Sequence, residues 1–237
     1  MIYITGDTHG EWDKRKEFLQ SLNKDDKVIC LGDLGWSWDE YHIKTFQPKC
    51  EWLSVLGNHE NYSIIEKLPV VEKYGGKCRQ LKENVFYFMN GEMYKIEGKK
   101  FFVFGGALSI DKHWRTPYKD WWPQEQPTQG DFEHAIRTLK KHHWKFDYFL
   151  THTGDTEQVQ RVLGRQDTIN DGTERMIQEL KYQVKEHEGY FDYHFFGHLH
   201  EFWIQYAFHA LGPLKGYSWY CLYRHIYNIE TREIKSY

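Results

Sequence analysis

The first 35 residues read MIYITGDTHGEWDKRKEFLQSLNKDDKVICLGDLG, and the fold prediction starts from their pattern. Two short β-rich runs, residues 1–5 and 27–31, flank a helix-like segment at residues 11–22. Each run leads into a glycine and then an acidic residue, Asp7 or Asp33. Strands that alternate with helices in this way predict an α/β protein with parallel strands.

The same alternation continues along the rest of the chain. Further strands are predicted at residues 50–56, 146–150, 193–196, 202–207, 218–223 and 225–229, and helices at residues 60–68, 129–143 and 172–187. Because we find no repeat and no low-complexity linker, residues 1–237 are predicted to form a single domain with a mixed sheet.

Local signals refine this outline. Residues 85–105 predict three antiparallel strands, with a two-residue hairpin turn at Asn90-Gly91 and another turn that starts at Gly98. Thr128 and Asp131 predict a capping box for the helix at 129–143, and Asp171 is the predicted cap of the helix at 172–187. The segment at residues 105–128 is longer than an ordinary unstructured connection, which indicates either a functional loop or a missed element.

Composition limits the class of protein. Lys and Arg number 31 against 34 Asp and Glu, and a formal net charge of −3 argues against a polybasic binder of nucleic acid or membranes. The four cysteines lack Cys-x-x-Cys spacing, which argues against a disulfide framework or a thiolate zinc site and favours the cytoplasm. No charged and then apolar segment precedes the first strand-like run, and the longest apolar stretch, residues 101–110, is far shorter than the ~20 residues that span a bilayer, so we expect no leader and no membrane anchor. No protein partner is evident from the sequence.

Five turns that follow strand-like runs carry metal-binding side chains. Ligands of open α/β sheets bind beyond the carboxyl ends of the strands, so these turns are expected to meet at one edge. Together they supply two carboxylates, one amide oxygen and four imidazoles: Asp7, Asp33, Asn58, His9, His152, His198 and His200. Seven ligands suit two adjacent divalent ions. Imidazole mixed with carboxylate favours Mn, Fe, Zn, Ni or Co over Ca or Mg, and manganese is the metal we expect.

In this order, the five turns resemble the motifs of the calcineurin-like metallophosphoesterase superfamily, from Gly6 to His200. The resemblance implies a four-layer α-β-β-α sandwich, in which two mixed sheets are flanked by helices without a separate cap domain. It implies that one ion is held by Asp7, His9, Asp33 and His200. The other ion would be held by Asp33, Asn58, His152 and His198, so that Asp33 bridges the two.

The resemblance also implies the reaction, hydrolysis of phosphate mono- or diesters by a hydroxide that bridges the two ions. Asp33 and His59 are the expected catalytic residues, since His59 matches the position that assists the leaving group. Asn58 and His59 are also expected to contact the phosphate ester, while Glu60 is expected to orient or cap its motif.

The loop at 105–128 bears on the choice of substrate. Protein Ser/Thr phosphatases of the superfamily carry arginines, and an Asp that pairs with the catalytic His, where this chain has Trp36, Ser37 and Leu56. Arg115 is therefore the predicted substitute phosphate ligand. The loop has three tryptophans, Trp114, Trp121 and Trp122. They either form an aromatic rim that stacks on a base or ring of the substrate, or they only anchor the loop to the rest of the protein.

Two other functional classes stay open. A non-catalytic scaffold that keeps the fold would be expected to lack metal ligands, whereas all seven ligand positions are filled here. A nuclease would act on nucleic acid and usually presents a basic surface, which the net charge of −3 does not favour, although bound metal could supply the cation.

Overall fold

The computed structural model describes residues 1–35, 39–164, 172–206 and 217–237, and in it two mixed sheets face each other. The strands are β1 (Ile2–Thr5), β2 (Lys27–Cys30), β3 (Glu51–Ser54), β4 (Val70–Lys73), β5 (Gly76–Lys82), β6 (Val85–Phe88), β7 (Met93–Ile96), β8 (Lys99–Phe104), β9 (Tyr148–Thr151), β10 (Tyr193–Phe196), β11 (Trp203–Gln205), β12 (Ser218–Cys221), β13 (His225–Asn228) and β14 (Ile234–Ser236). The helices are α1 (Lys16–Ser21), α2 (Glu40–Thr45), α3 (Tyr62–Ile65), α4 (Gln129–Lys141), α5 (Thr156–Leu163) and α6 (Gly172–Glu186).

Each sheet has a parallel centre and antiparallel edges. The first sheet has the order β14-β13-β1-β2-β3-β6-β5-β4, and β1, β2, β3 and β6 run parallel within it. The second has the order β11-β12-β10-β9-β8-β7, and β8, β9, β10 and β12 run parallel. The carboxyl ends of parallel neighbours lie at one edge of a sheet, so the turns that follow β1, β2 and β3 are neighbours, as are those after β9 and β10.

The core confirms four layers. A continuous apolar cluster fills the space between the sheets, with Ile4, Ile29 and Leu53 from the first sheet and Val103 and Leu150 from the second. A second cluster packs α4 and α6 onto the outer face of the second sheet, and a third packs side chains of α1, α2 and α3 onto the outer face of the first. Central parallel strands such as β2 and β9 are nearly continuous apolar runs because both of their faces are covered.

Most predicted elements are confirmed, often one or two residues shorter than expected. The capping box of α4 is present, since Thr128 Oγ1 accepts a hydrogen bond from the Asp131 amide and the Asp131 side chain accepts one from the Thr128 amide. The predicted cap Asp171 lies outside the described residues, as does the end of the predicted strand at 202–207. In the part of the chain that is described, no helix is long and apolar enough to cross a bilayer.

The predicted hairpin at Asn90-Gly91 is wrong. β6 pairs with β3 and β5 in the first sheet, whereas β7 pairs with β8 in the second, so Asn90 and Gly91 lie where the chain crosses between sheets. Asn90 Oδ1 accepts a hydrogen bond from the Gly105 amide at 2.7 Å, which fixes the crossing. The next turn is confirmed as a hairpin between β7 and β8, although its turn residues are Glu97 and Gly98.

Candidate metal centre

All seven predicted ligands lie in turns after parallel strands. Asp7 and His9 follow β1, Asp33 follows β2 and Asn58 follows β3, all in the first sheet. His152 follows β9, and His198 and His200 follow β10, in the second sheet. Hydrogen-bond distances join the two groups, so the two sheets bring their ligands to one shared edge.

One part of this edge is open to solvent. The Nε2 atoms of His9 and His200 lie 2.9 Å apart, and ligand atoms of Asp7, His9 and His200 all lie within 4.8 Å of one another. The His198 amide donates to both carboxylate oxygens of Asp7, at 2.9 and 3.0 Å, which orients that carboxylate. His200 is exposed, while Asp7 is buried beneath it. We call Asp7, His9 and His200 the open half.

The other part is mostly buried, with Asn58 and His152 in the core and His198 half-buried. Asn58 Oδ1 lies 2.8 Å from His152 Nε2 and 3.0 Å from His198 Nδ1, so one amide oxygen faces two imidazoles. His152 is 0% exposed, and its Nδ1 donates to the carbonyl of Leu31 at 2.7 Å. This bond leaves Nε2 as the ligand atom. We call Asn58, His152 and His198 the buried half.

Asp33 lies between the two halves. Its Oδ1 accepts a hydrogen bond from the His59 amide at 2.8 Å. Its Oδ2 is buried and accepts no hydrogen bond from any residue in the described ranges, yet it lies 3.5 Å from His152 Nε2 and 3.9 Å from His9 Nε2. A buried carboxylate oxygen without a donor is costly unless a cation compensates it, so this atom fits a metal ion.

The backbone of the ligand turns is unusual. Five of the seven predicted ligands have φ in the left-handed region, between 44° and 65°: Asp7, His9, Asp33, His198 and His200. This conformation costs non-glycine residues of order 1–3 kcal/mol each and is concentrated at functional sites. The surrounding fold therefore keeps these residues in a backbone conformation that they would not favour by themselves.

Two glycines make room for the carboxylates. A Cβ atom added to Gly57 would overlap the Asp33 carboxylate and amide, and one added to Gly197 would overlap the Asp7 carboxylate. Each glycine therefore lets a carboxylate from another turn lie directly against the backbone.

Charge and burial favour a bound cation. Burial raises the pKa of the Asp7 carboxyl to about 7, and the Asp33 charge adds to this effect. Burial would raise the pKa of Asp33 too, but the imidazoles of His152 and His59 hold it well below its ordinary value. Burial lowers the pKa of His9 to about 4 and that of His198 to about 3, so both are neutral and able to bind metal at pH 7.

A family model for calcineurin-like phosphoesterases matches residues 1–202, which include every one of these turns. The chain belongs to the calcineurin-like phosphoesterase family. A comparison with curated proteins finds no match. Membership of this family implies a metal-dependent phosphoester hydrolase, and Asp7, Asp33 and His152 form a possible metal-binding group in the phosphoesterase structure.

The long loop brings Arg115 to His59. Arg115 Nη1 donates to His59 Nδ1 at 2.6 Å, and Arg115 Nη2 donates to Asp111 Oδ2 at 2.7 Å. Burial, together with the Arg115 charge, lowers the pKa of His59, although the Asp33 charge opposes this. Trp36 and Ser37, where related phosphatases carry an Asp and an Arg, lie outside the described residues.

The tryptophans of the loop do not act alike. Trp122 is buried, and its indole N–H donates to Ser63 Oγ at 2.7 Å, so this residue anchors the loop. Trp121 is half-buried, with Lys112 above its ring. Trp114 is 83% exposed, so only this one of the three stands out from the surface as a rim residue would.

Sequence reasoning missed Arg15 as a support for the first turn. Arg15 is fully buried, and its guanidinium donates to the carbonyls of Thr8 at 3.0 Å and Asp7 at 3.2 Å. Glu60 orients its surroundings as expected, since Oε1 accepts from the Leu34 amide at 3.1 Å. A basic residue in a predicted helix-like segment gives no signal that its side chain is buried, so the sequence does not identify Arg15.

Proposed function

We propose that this phosphoesterase holds two divalent ions and hydrolyses phosphate monoesters or diesters. The observation that carries the proposal is the Asp33 carboxylate, whose buried Oδ2 accepts no hydrogen bond from any described residue and lies between imidazoles of both halves. A single carboxylate in this position suits a bridging role between two ions.

The proposed ligand sets follow the two halves. The first ion would be held by Asp7, His9, Asp33 and His200, and the second by Asp33, Asn58, His152 and His198. The separate groupings of His9 with His200, and of Asn58 with His152 and His198, support this division. Because the donors are imidazoles, carboxylates and an amide, we propose manganese, with iron, zinc, nickel or cobalt as alternatives.

When bound, the ions would supply an activated water nucleophile and positive charge for the phosphoryl group. His59 would assist the leaving group. Arg115 Nη1 lies 2.6 Å from Nδ1 of His59, whereas Nη2 lies 3.4 Å from Nε2. Because the shorter contact makes Nδ1 the acceptor, a neutral His59 would carry its proton on Nε2 and donate it to the departing oxygen. Asn58, beside His59, would complete the contact with the ester.

Arg115 would bind the phosphate. Its guanidinium is oriented by Asp111 and lies beside the proposed catalytic His59, where a phosphoryl oxygen would meet both side chains. A guanidinium suits this purpose because it stays charged and presents several donors in a fixed plane.

We also propose a cytoplasmic location. Cys30, Cys50, Cys78 and Cys221 are all buried free thiols, an arrangement that suits a reducing compartment.

The decisive experiment compares p-nitrophenyl phosphate with bis-p-nitrophenyl phosphate as substrates of metal-stripped protein titrated with Mn²⁺, Ni²⁺ and Zn²⁺. We expect turnover of at least one ester, highest with Mn²⁺, and the ratio of the two rates assigns monoester or diester preference. If neither ester is turned over with any of the three metals, the enzymatic proposal is wrong.

His59→Ala tests the leaving-group role. It should lower turnover by about 10²-fold or more while both ions stay bound, as expected for the loss of a proton donor. His134→Ala, on the partly exposed face of α4, is the matched control and should retain turnover. Full turnover in His59→Ala with both ions bound would contradict this role.

A further inference from the structure

The loop at residues 105–128 does more than carry Arg115, because its buried Ser109 contacts the amide of Asn58 and is itself held by Glu125, another buried residue of the loop. Asn58 Nδ2 donates to Ser109 Oγ at 2.9 Å. Ser109 Oγ in turn donates to Glu125 Oε2 at 2.6 Å, and the Ser109 amide donates to Glu125 Oε1 at 2.9 Å. Glu125 is 1% exposed, so this chain of hydrogen bonds is closed off from water.

The direction of these bonds fixes which atom of Asn58 faces the histidines. A serine hydroxyl has one hydrogen, and Ser109 gives it to Glu125, so Oγ can only accept from Asn58. The amide nitrogen of Asn58 must then face Ser109, and its oxygen must face His152 and His198. Only the oxygen of an asparagine amide can bind a divalent ion, so the bond direction decides whether the ligand works.

We infer that Glu125 and Ser109 are positioning residues, which hold the Asn58 amide with its oxygen toward the second ion. This inference rests on the proposed function, because it takes Asn58 as a ligand of the ion in the buried half. It also gives the long loop a second role: the segment that supplies Arg115 to the phosphate also sets a ligand of the metal centre.

Glu125→Gln is the sharpest test, since it changes the bond direction with little change in shape. A glutamine amide nitrogen can donate to Ser109 Oγ, which frees the serine hydrogen to point at Asn58 and favours a rotated amide. Ser109→Ala removes the connection altogether. In both variants we expect Mn²⁺ affinity at the second site to fall by about 10–100-fold, with the first site unchanged.

The measurement is a Mn²⁺ binding isotherm of the metal-stripped full chain, resolved into two sites, with circular dichroism and urea unfolding as checks on the fold. Glu66→Gln is the matched control, because it makes the same change on an exposed glutamate near the loop. Oε2 of Glu66 accepts a hydrogen bond at 3.4 Å from the side chain of Gln124, the residue that precedes Glu125. The Glu66→Gln variant should bind both ions as the wild type does. A merely structural role for Glu125 predicts equal weakening of both sites, and that result would overturn the inference.

Asn58→Ala separates this inference from the proposed function. Loss of the second ion in Asn58→Ala, together with wild-type binding of both ions in Glu125→Gln and Ser109→Ala, would overturn the positioning role alone. Wild-type binding of both ions in Asn58→Ala would overturn the ligand assignment and the inference with it.

Discussion

The open half and the buried half of the metal centre are held in place by different means. In the open half, Asp7, His9 and His200 all have left-handed backbone and His200 is exposed to solvent. In the buried half, Asn58 and His152 avoid that conformation and are fixed by side-chain hydrogen bonds to Ser109 Oγ and to the Leu31 carbonyl. The third ligand of this half, His198, has left-handed backbone like the ligands of the open half.

This difference teaches that one site can be positioned both by backbone strain and by buried polar contacts. A left-handed backbone sets the direction of a side chain from its own main chain, so an exposed ligand such as His200 can stay accessible to water and to the substrate. Buried contacts need a supporting shell and exclude water, so the ligand is rigid but its loss leaves unsatisfied groups. We therefore expect the halves to respond differently to substitution, to chelation and to pH.

The largest effect is expected where the halves join. Asp33→Asn should remove both ions and lower turnover by about 10³-fold, since a bridging ligand contributes several kcal/mol to each part of the centre. Asp7→Asn should mainly harm the ion of the open half. Metal content measured by mass spectrometry checks both variants, with Asp39→Asn on the exposed surface as the control. Equal losses of both ions in the Asp33 and Asp7 variants would contradict the bridging role.

Substitutions in the two halves should have different effects on the free energy of unfolding. His152→Ala should lower the free energy of unfolding of the metal-free protein by about 2–3 kcal/mol, because it leaves a cavity and an unpaired Leu31 carbonyl in the core. His200→Ala, at an exposed position, should change it by about 0.5 kcal/mol or less. Urea unfolding in the presence of a chelator gives both values. If the two variants lost a similar free energy of unfolding, the proposed difference between the halves would be wrong.

Arg115 contacts His59, which belongs to neither half of the metal centre. Removing Arg115 should therefore weaken the binding of substrate without weakening the binding of metal. Arg115→Ala should lower kcat/KM by about 10–100-fold, as expected for a lost hydrogen bond to a charged group. Both ions should remain bound. Lys112→Ala, on the exposed surface of the same loop, is the control. Loss of either ion in Arg115→Ala would show that the loop acts on the metal centre through this residue.

The two halves should also differ in how they respond to pH. Folding raises the pKa of Asp7 from 3.8 to about 7, and that of His152 from 6.5 to about 9, where the Asp33 carboxylate outweighs the effect of burial. Their contribution to stability in metal-free protein is therefore present below the unfolded values and is lost as the pH rises through about 7 and about 9.

Because both groups must lose a proton to bind metal, affinity should rise by about tenfold per pH unit for each proton released. The rise should level off near pH 7 in the open half and near pH 9 in the buried half. Calorimetric titration with Mn²⁺ in two buffers of different ionisation enthalpy counts the protons. Affinities that do not change between pH 6 and pH 9 would contradict these pKa values.

Much of the fold follows from local sequence signals. Thr128 and Asp131 predicted the start of α4 correctly, because a capping box depends on residues only three positions apart. The Asn90-Gly91 turn was misjudged, because a local turn signal cannot tell a hairpin from a crossing between two sheets. The choice depends on long-range pairing of β6 with β3, which the turn residues do not encode.

The ligands of the candidate site could be predicted from the sequence, whereas the residues that support them could not. The seven ligands follow strands in recognisable motifs, and the structure brings all of them to one edge. Glu125 and Arg15 carry no comparable signal, since one lies sixteen residues beyond its partner Ser109 and the other is a basic residue in a helical segment. Residues that support the ligands are recognised by their contacts, which can be seen only once the three-dimensional structure is known.

The contact between His9 and His200 joins residues that are 191 positions apart in the chain. Closing so large a loop has a high entropic cost, which the pairing of strands in both sheets must offset before the two imidazoles can meet. We therefore expect the order of assembly to be fixed, with both sheets formed before the first ion is captured. In a zinc finger the metal directs folding, whereas here metal capture would mark its completion.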